Sequence, residues 1–294
     1  MAALRGEIVT TDLGPVECLV QGSGSPVLVL HGSPGGIDAA EAMVRFVPRD
    51  RFKVVLVSRP GYLRTPLRDD RSIDAEADLH AGLLDALDIA KVGVLAWSGG
   101  GPAAFQLAAR HRDRVTALVA VSPVTTRYTE PPPGLSKRLL FGNPIGMRLM
   151  GLLGRVAPDQ VVSGAIGSEG TLEGDEAKQR IKDVLADRDK VRFVVDVTLT
   201  ASHAGERSAG YANDVAQFDA IEALDLGDIV APTLLVAGTH DSETPYADIS
   251  RAAGEIPTSE LFVLDHGTHL AFYTHAESAA AQQRALEYLG RTEQ

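Results

Sequence analysis

The chain has a single cysteine, Cys18, among 294 residues, which excludes an internal disulfide and suits a reducing compartment. Cys18 lies in the strand-like run Val16-Glu17-Cys18-Leu19-Val20, where a buried filler is expected rather than a reactive thiol. No apolar run is long enough to cross a bilayer, and Met1-Ala2-Ala3-Leu4-Arg5-Gly6-Glu7 has no apolar leader character. A cytoplasmic protein with no membrane partner is the expectation. Basic residues are also in deficit: 28 Lys and Arg against 39 Asp and Glu leave a net charge of −11. That balance disfavours nucleic acid, anionic lipid and strongly anionic substrates. Internal repeats and low-complexity tails are absent too. What remains is 45% hydrophobic and 23% charged, enough for one sizeable core plus an insertion.

Strand-like and helix-like runs alternate from about residue 26 to 124, which predicts βαβ units around a mostly parallel sheet, an α/β fold. Two further strands, near 7–11 and 15–20, predict an antiparallel opening hairpin. Ser72 to Leu87 reads as a helix with Ile73, Leu79, Leu83, Leu84 and Leu87 near helical spacing. Between about 125 and 212 the rhythm stops. It resumes near Asp214 with a helix and then the strand at 232–237.

Val92-Gly93-Val94-Leu95-Ala96-Trp97 ends at Ser98, followed by Gly99-Gly100-Gly101-Pro102 and the helix-forming Ala103 to Ala109. A serine on a sharp strand-to-helix turn needs small residues two positions before and after it, and Ala96 and Gly100 supply them. Gly99 to Ala104 also fits the glycine turn of a dinucleotide fold. That fingerprint needs an acid about 20 residues further on, and the next strand ends instead in Val121-Ser122-Pro123-Val124. Downstream, the strand 232–237 leads into Gly238-Thr239-His240-Asp241-Ser242-Glu243-Thr244-Pro245. The strand 261–264 leads into Asp265-His266-Gly267-Thr268-His269. Serine, then acid, then histidine is the chain order of one hydrolase class, distinct from the protease orders.

With these motifs the chain resembles the α/β-hydrolase family over nearly its full length. The resemblance implies a mostly parallel central sheet flanked by helices, with a core formed by 1–124 and 213–294 and a helical cap insertion at 125–212. It implies Ser98 as nucleophile, Asp241 as the acid (Glu243 in reserve) and His269 as the base, since Gly267-Thr268-His269 with Glu277 beyond fits the family register better than His266. His31-Gly32-Ser33-Pro34-Gly35-Gly36 matches the family's His-Gly loop. Pro34 has no N–H, so the oxyanion donors implied are Ser33 and Gly99, with His31 bracing backbone. The turn Ser58-Arg59-Pro60-Gly61-Tyr62 is read as structural. No cofactor and no metal are implied, the partner is a small-molecule substrate, and the assembly is a monomer or homodimer.

Within the insertion, Glu130-Pro131-Pro132-Pro133-Gly134 reads as a stiff linker. The apolar, glycine-rich Leu139 to Leu153 reads as the roof of an apolar pocket, and Glu173 to Arg192 as a solvated helix. His80, His111 and His275 read as helix-surface or helix-end residues, and His203 as a structural histidine that could reach the pocket. An ester of a small or medium apolar acid is the favoured substrate. Lactones, carbon–carbon bonds and proline iminopeptidase-like peptide cleavage are the rivals on the same scaffold. Two other classes stay open. One is a ligand-binding or signalling protein on this scaffold. The other is a metal site gathering His240, Asp241, Asp265, His266 and His269, which would leave Ser98 and the His-Gly loop unexplained.

Overall fold

The computed structural model describes residues 4–129 and 139–291. The linker expected at 130–134 lies outside the described residues. Five apolar runs form the centre of an eight-stranded sheet: β3 (Ser25–Leu30), β4 (Phe52–Val57), β5 (Val92–Trp97), β6 (Val115–Val121) and β7 (Thr233–Gly238). Strands with apolar residues on both sides need helices over both faces, and these five are parallel to one another. β8 (Ser259–Leu264) extends one edge in parallel. At the other edge β1 (Glu7–Thr11) and β2 (Gly14–Gln21) form the antiparallel hairpin that the sequence predicts.

The strand order is β1-β2-β4-β3-β5-β6-β7-β8. After β3 the chain adds β4 on one side and β5 on the other, so the loops leaving the carboxyl ends of β3 and β5 diverge around a crevice. Ligands of open α/β sheets bind at such a switch point. Leu30 pairs with Ala96 in the sheet, which brings the His31 loop beside Ser98.

The helices are α1 (Ile37–Met43), α2 (Ile73–Ala86) and α3 (Gly101–Arg110), then α4 (Pro144–Val156), α5 (Pro158–Ser168), α6 (Gly174–Leu185), α7 (Arg188–Thr200) and α8 (Ser208–Asp219) between β6 and β7. The chain closes with α9 (Tyr246–Glu255), a single turn α10 (Ala271–Thr274) and α11 (Ser278–Leu289). Ser72 caps α2 by accepting from the Ala75 N–H at 3.1 Å, and Asp74 and Glu76 in its first turn suit the helix dipole.

Alternation along the strands divides the core in two. Leu28, Val94, Leu118 and Leu235 face α2, α3 and α9. Val29, Leu95, Val119 and Val236 face the other way, in a cluster that also takes Ile37, Ala281 and, from the inserted helices, Val162, Ile166, Phe193 and Val194. The helices between β6 and β7 therefore share one layer of the core.

Two local readings change. Glu173 to Arg192 is two helices, because the Asp187 side chain accepts from the N–H groups of Asp189 and Lys190 and starts a new helix there. Residues 173–192 are mostly exposed, as expected, with Val184 buried; the second helix runs on past them into Phe193 and Val194, which are 1% and 0% exposed. His80 is not a surface residue but fully buried, drawn inward at the i+4 position from Glu76. The boundary expected at 212/213 falls inside α8. Among the described residues no helix is long and apolar enough to cross a membrane.

Candidate active site

Ser98 sits where β5 ends, with φ at 50°, in the left-handed region that costs a non-glycine residue roughly 1–2 kcal/mol. The turn holds because its neighbours have no side chains. A Cβ on Gly100 would lie 2.6 Å from the Leu30 carbonyl oxygen, and one on Gly99 would lie 2.7 Å from the Ser33 Cβ. The Val124 N–H donates to the Ser98 carbonyl at 3.0 Å and ties the turn to the loop after β6. Half-buried, Ser98 borders a cavity of about 530 Å³. Ser33 and His269 border the same cavity. Gly99 is buried against Ser33, so the two segments expected to supply oxyanion donors are adjacent.

His269 lies in the loop after β8, 8% exposed, its backbone N–H held by the Glu169 carbonyl at 2.9 Å. Its Nδ1 stands 2.8 Å from Asp241 Oδ2. A carboxylate only accepts, so Nδ1 carries the proton and Nε2 of the neutral ring is the basic nitrogen. Asp241, at the end of the turn after β7, is saturated with donors. Its Oδ1 accepts from the N–H groups of Glu243 and Thr244 at 2.9 Å, and its Oδ2 from the Thr244 hydroxyl at 2.9 Å. Burial alone would raise the Asp241 pKa, but the His269 charge and these donors hold it below the usual carboxylate range. For His269 burial works against protonation, yet the Asp241 carboxylate outweighs it and pushes the pKa up to about 9.

The rival residues are elsewhere. The His266 side chain is 50% exposed, 3.3 Å from Glu176, and its ring stacks on that of His240 with centroids 4.8 Å apart. Asp241 and His269 thus part company with His240 and His266, and the five-residue metal cluster weighed from the sequence does not assemble. Glu243 borders the cavity and accepts from the Tyr128 hydroxyl at 3.3 Å. His31 is fully buried and braces backbone: Nδ1–H donates to the Gly32 carbonyl at 2.7 Å, and Nε2 accepts from the Arg59 N–H at 3.0 Å. Burial, reinforced by Arg59, holds its pKa well below the ordinary 6.5, so it stays neutral. His203 reaches the cavity wall, beside Tyr211.

The sequence did not reveal what stands behind Ser33. Its Oγ lies 3.0 Å from the Tyr62 hydroxyl, which donates to Asp214 Oδ2 at 2.6 Å. Arg59, 2% exposed, bridges Asp214 (2.8 Å) and Glu76 (2.6 Å). Burial alone would drive the guanidinium toward neutrality; the two carboxylates reverse that and keep it charged. Tyr62, in the turn read as structural, is fully buried and connects this network to the Ser33 loop. The only signal was the Arg59-Pro60-Gly61-Tyr62 turn itself, since nothing in a linear reading pairs Arg59 with an acid 155 positions away.

Leu140, Phe141, Met150 and Leu153 roof one side of the cavity, as the apolar segment 139–153 predicts. Gln160, Ser168, Glu169, Thr198 and Thr200 also line it and add polar character.

A family profile described as "alpha/beta hydrolase fold" matches residues 25–276. Among solved structures, an alpha/beta hydrolase fold protein from Nakamurella multipartita superposes with a TM-score of 0.93 at 44% identity, covering 97% of this chain and 98% of that one. An uncharacterized hydrolase, YcgS, of Bacillus subtilis is 28% identical over 272 residues, 90% of this chain and 92% of its own length. The pimeloyl-(acyl-carrier protein) methyl ester esterase of Aeromonas salmonicida is 29% identical over 268 residues, again 90% and 92%.

Proposed function

The chain belongs to the α/β-hydrolase fold family, and from that premise we propose a serine hydrolase that cleaves carboxylic esters of small to medium apolar acyl groups. The observation that carries this reading is the 2.8 Å contact between His269 Nδ1 and Asp241, with His269 bordering the same cavity as a serine held at positive φ. In the proposed reaction the substrate carbonyl sits beside Ser98. Its Oγ attacks the carbonyl carbon as its proton passes to His269 Nε2, and Asp241 stabilises the imidazolium that forms. The N–H groups of Ser33 and Gly99 hold the tetrahedral oxyanion, an interaction whose partial loss costs about 10²–10³ in rate. Collapse breaks the ester C–O bond, and the imidazolium gives its proton to the departing alcohol. Water then attacks the acyl-enzyme with His269 again as base, which releases the acid and restores Ser98.

The helices between β6 and β7 serve as the cap expected at 125–212, and a cavity of about 530 Å³ lies within the range of small-molecule sites. Its apolar roof favours an aliphatic acyl chain over a charged one. The esterase activity of the Aeromonas relative supports ester cleavage without fixing the substrate. The rival substrates on this scaffold are lactones, amides and diketones, and a panel spanning them with p-nitrophenyl esters separates these readings. Ser98→Ala is expected to abolish ester turnover while leaving thermal unfolding unchanged. Full retained turnover would remove Ser98 from the mechanism, whereas no turnover by the wild type across the panel would favour the ligand-binding alternative.

A further inference from the structure

We propose that Glu176, His240 and His266 form a site for a zinc-class divalent cation, outside the catalytic cavity, that ties helix α6 to the two loops carrying Asp241 and His269. Ligand atoms from these three residues lie within 4.8 Å of one another. A tetrahedral cation with bonds of 2.0–2.2 Å needs ligand atoms about 3.4 Å apart. The pair His266 Nδ1–Glu176 Oε2 already stands at 3.3 Å. The remaining gap closes by swinging exposed side chains, 50% and 61% accessible at His266 and Glu176. The two imidazoles are stacked, 14° from parallel with centroids 4.8 Å apart.

The surroundings orient the donors. The Thr239 hydroxyl donates to Asp265 Oδ1 at 3.1 Å, so its oxygen accepts from His240 Nδ1–H, also at 3.1 Å. That leaves His240 Nε2 with a free lone pair, the outer hydrogen bond that fixes the tautomer of a metal-binding histidine. The same Thr239 oxygen accepts from the His266 N–H at 2.8 Å, and Asp265 Oδ2 stands 3.7 Å from His266 Nε2. Arg180, which shares this depression with His266 and Glu176, directs its guanidinium at the carbonyl oxygens of His266 and Thr274. Two imidazoles and one carboxylate suit zinc, copper or nickel; magnesium and calcium take oxygen ligands. The consequence is structural linkage: α6 belongs to the inserted layer, His240 precedes Asp241, and His266 lies three residues before His269.

The test uses full-length, tag-free protein stripped of metal and titrated with zinc chloride, followed by calorimetry and thermal unfolding. One saturable equivalent is expected in the micromolar range. At free zinc a hundredfold above Kd the Tm is expected to rise by about 4 °C for a chain of this length. The double variant His240→Ala/His266→Ala is expected to keep the metal-free Tm and lose the equivalent. Glu176→Gln is expected to weaken binding tenfold or more, and magnesium to give no response. Equal zinc affinity and stoichiometry in wild type and double variant would overturn the proposal, as would the absence of saturable binding in the micromolar range. A double variant with a lowered metal-free Tm leaves Glu176→Gln, on an exposed helix face, to decide between the same two results.

Discussion

The proton on His269 sets the working pH of the proposed chemistry. Burial resists charging the ring, but Asp241 prevails and moves its pKa up to about 9. A general base must be neutral, so kcat/KM is expected to rise with pH and level off near 9, falling about tenfold per unit below that. Asp241→Asn is expected to shift this limb toward acid, because the carboxylate that raises the pKa is gone, and to lower kcat by about 10⁴ through the wrong tautomer. Stability follows the opposite course. The folded pKa of His269 lies above its ordinary 6.5, so its contribution is fully present below 6.5 and is lost as pH rises through about 9. Asp241 is held low, so its contribution is present above its ordinary 3.8 and is lost as pH falls through its depressed value. Urea midpoints of the wild type measured between pH 6.5 and 9.5 (a window set by that linkage) are expected to decline toward those of Asp241→Asn. A flat difference across the window would contradict the assigned pair.

At the scale of elements, the Arg59 network links the turn after β4, helix α2, helix α8 and the Ser33 loop. Replacing Arg59 by leucine leaves Glu76 and Asp214 buried and facing each other, and is expected to destabilise the fold by about 3–5 kcal/mol in urea unfolding. Tyr62→Phe removes only a hydroxyl; its expected signature is a lower kcat with the KM kept, because Ser33 loses the partner at 3.0 Å that positions it. Helix α4 presents Met150 and Leu153 to the cavity, so Leu153→Ala is expected to shift ester preference toward longer acyl chains in a chain-length series. The five central strands and the turn at Ser98 were legible in the sequence because apolar runs and small-residue spacing are local patterns. Helix α7 was not, because the Asp187 cap divides the charged run and starts a helix that continues beyond Arg192 through the apolar Phe193 and Val194. The Arg59 partners were equally hidden, and so was the approach of Glu176 to His240 and His266, which the sequence had grouped instead with Asp241, Asp265 and His269.

For the molecule as a whole, function follows from strand order. The switch between β3 and β5 sets the Ser33 loop beside Ser98, and the loops after β7 and β8 deliver Asp241 and His269 from positions over 140 residues further along. The chain carries an excess of acids, and the cavity is lined by Glu169 and Glu243 beside apolar Leu140, Phe141, Met150 and Leu153, which suits a neutral substrate. Ser98, Asp241 and His269 were readable as candidates from chain order, while the approach of Asp241 to His269 beside the cavity that Ser98 borders needed the sheet. The most direct measurement is the intact mass and peptide map of the protein after reaction with a fluorophosphonate. A single adduct on Ser98 is predicted, formed far more slowly in His269→Ala and at the wild-type rate in His266→Ala. An adduct on another residue, or a labelling rate indifferent to His269, would contradict the account.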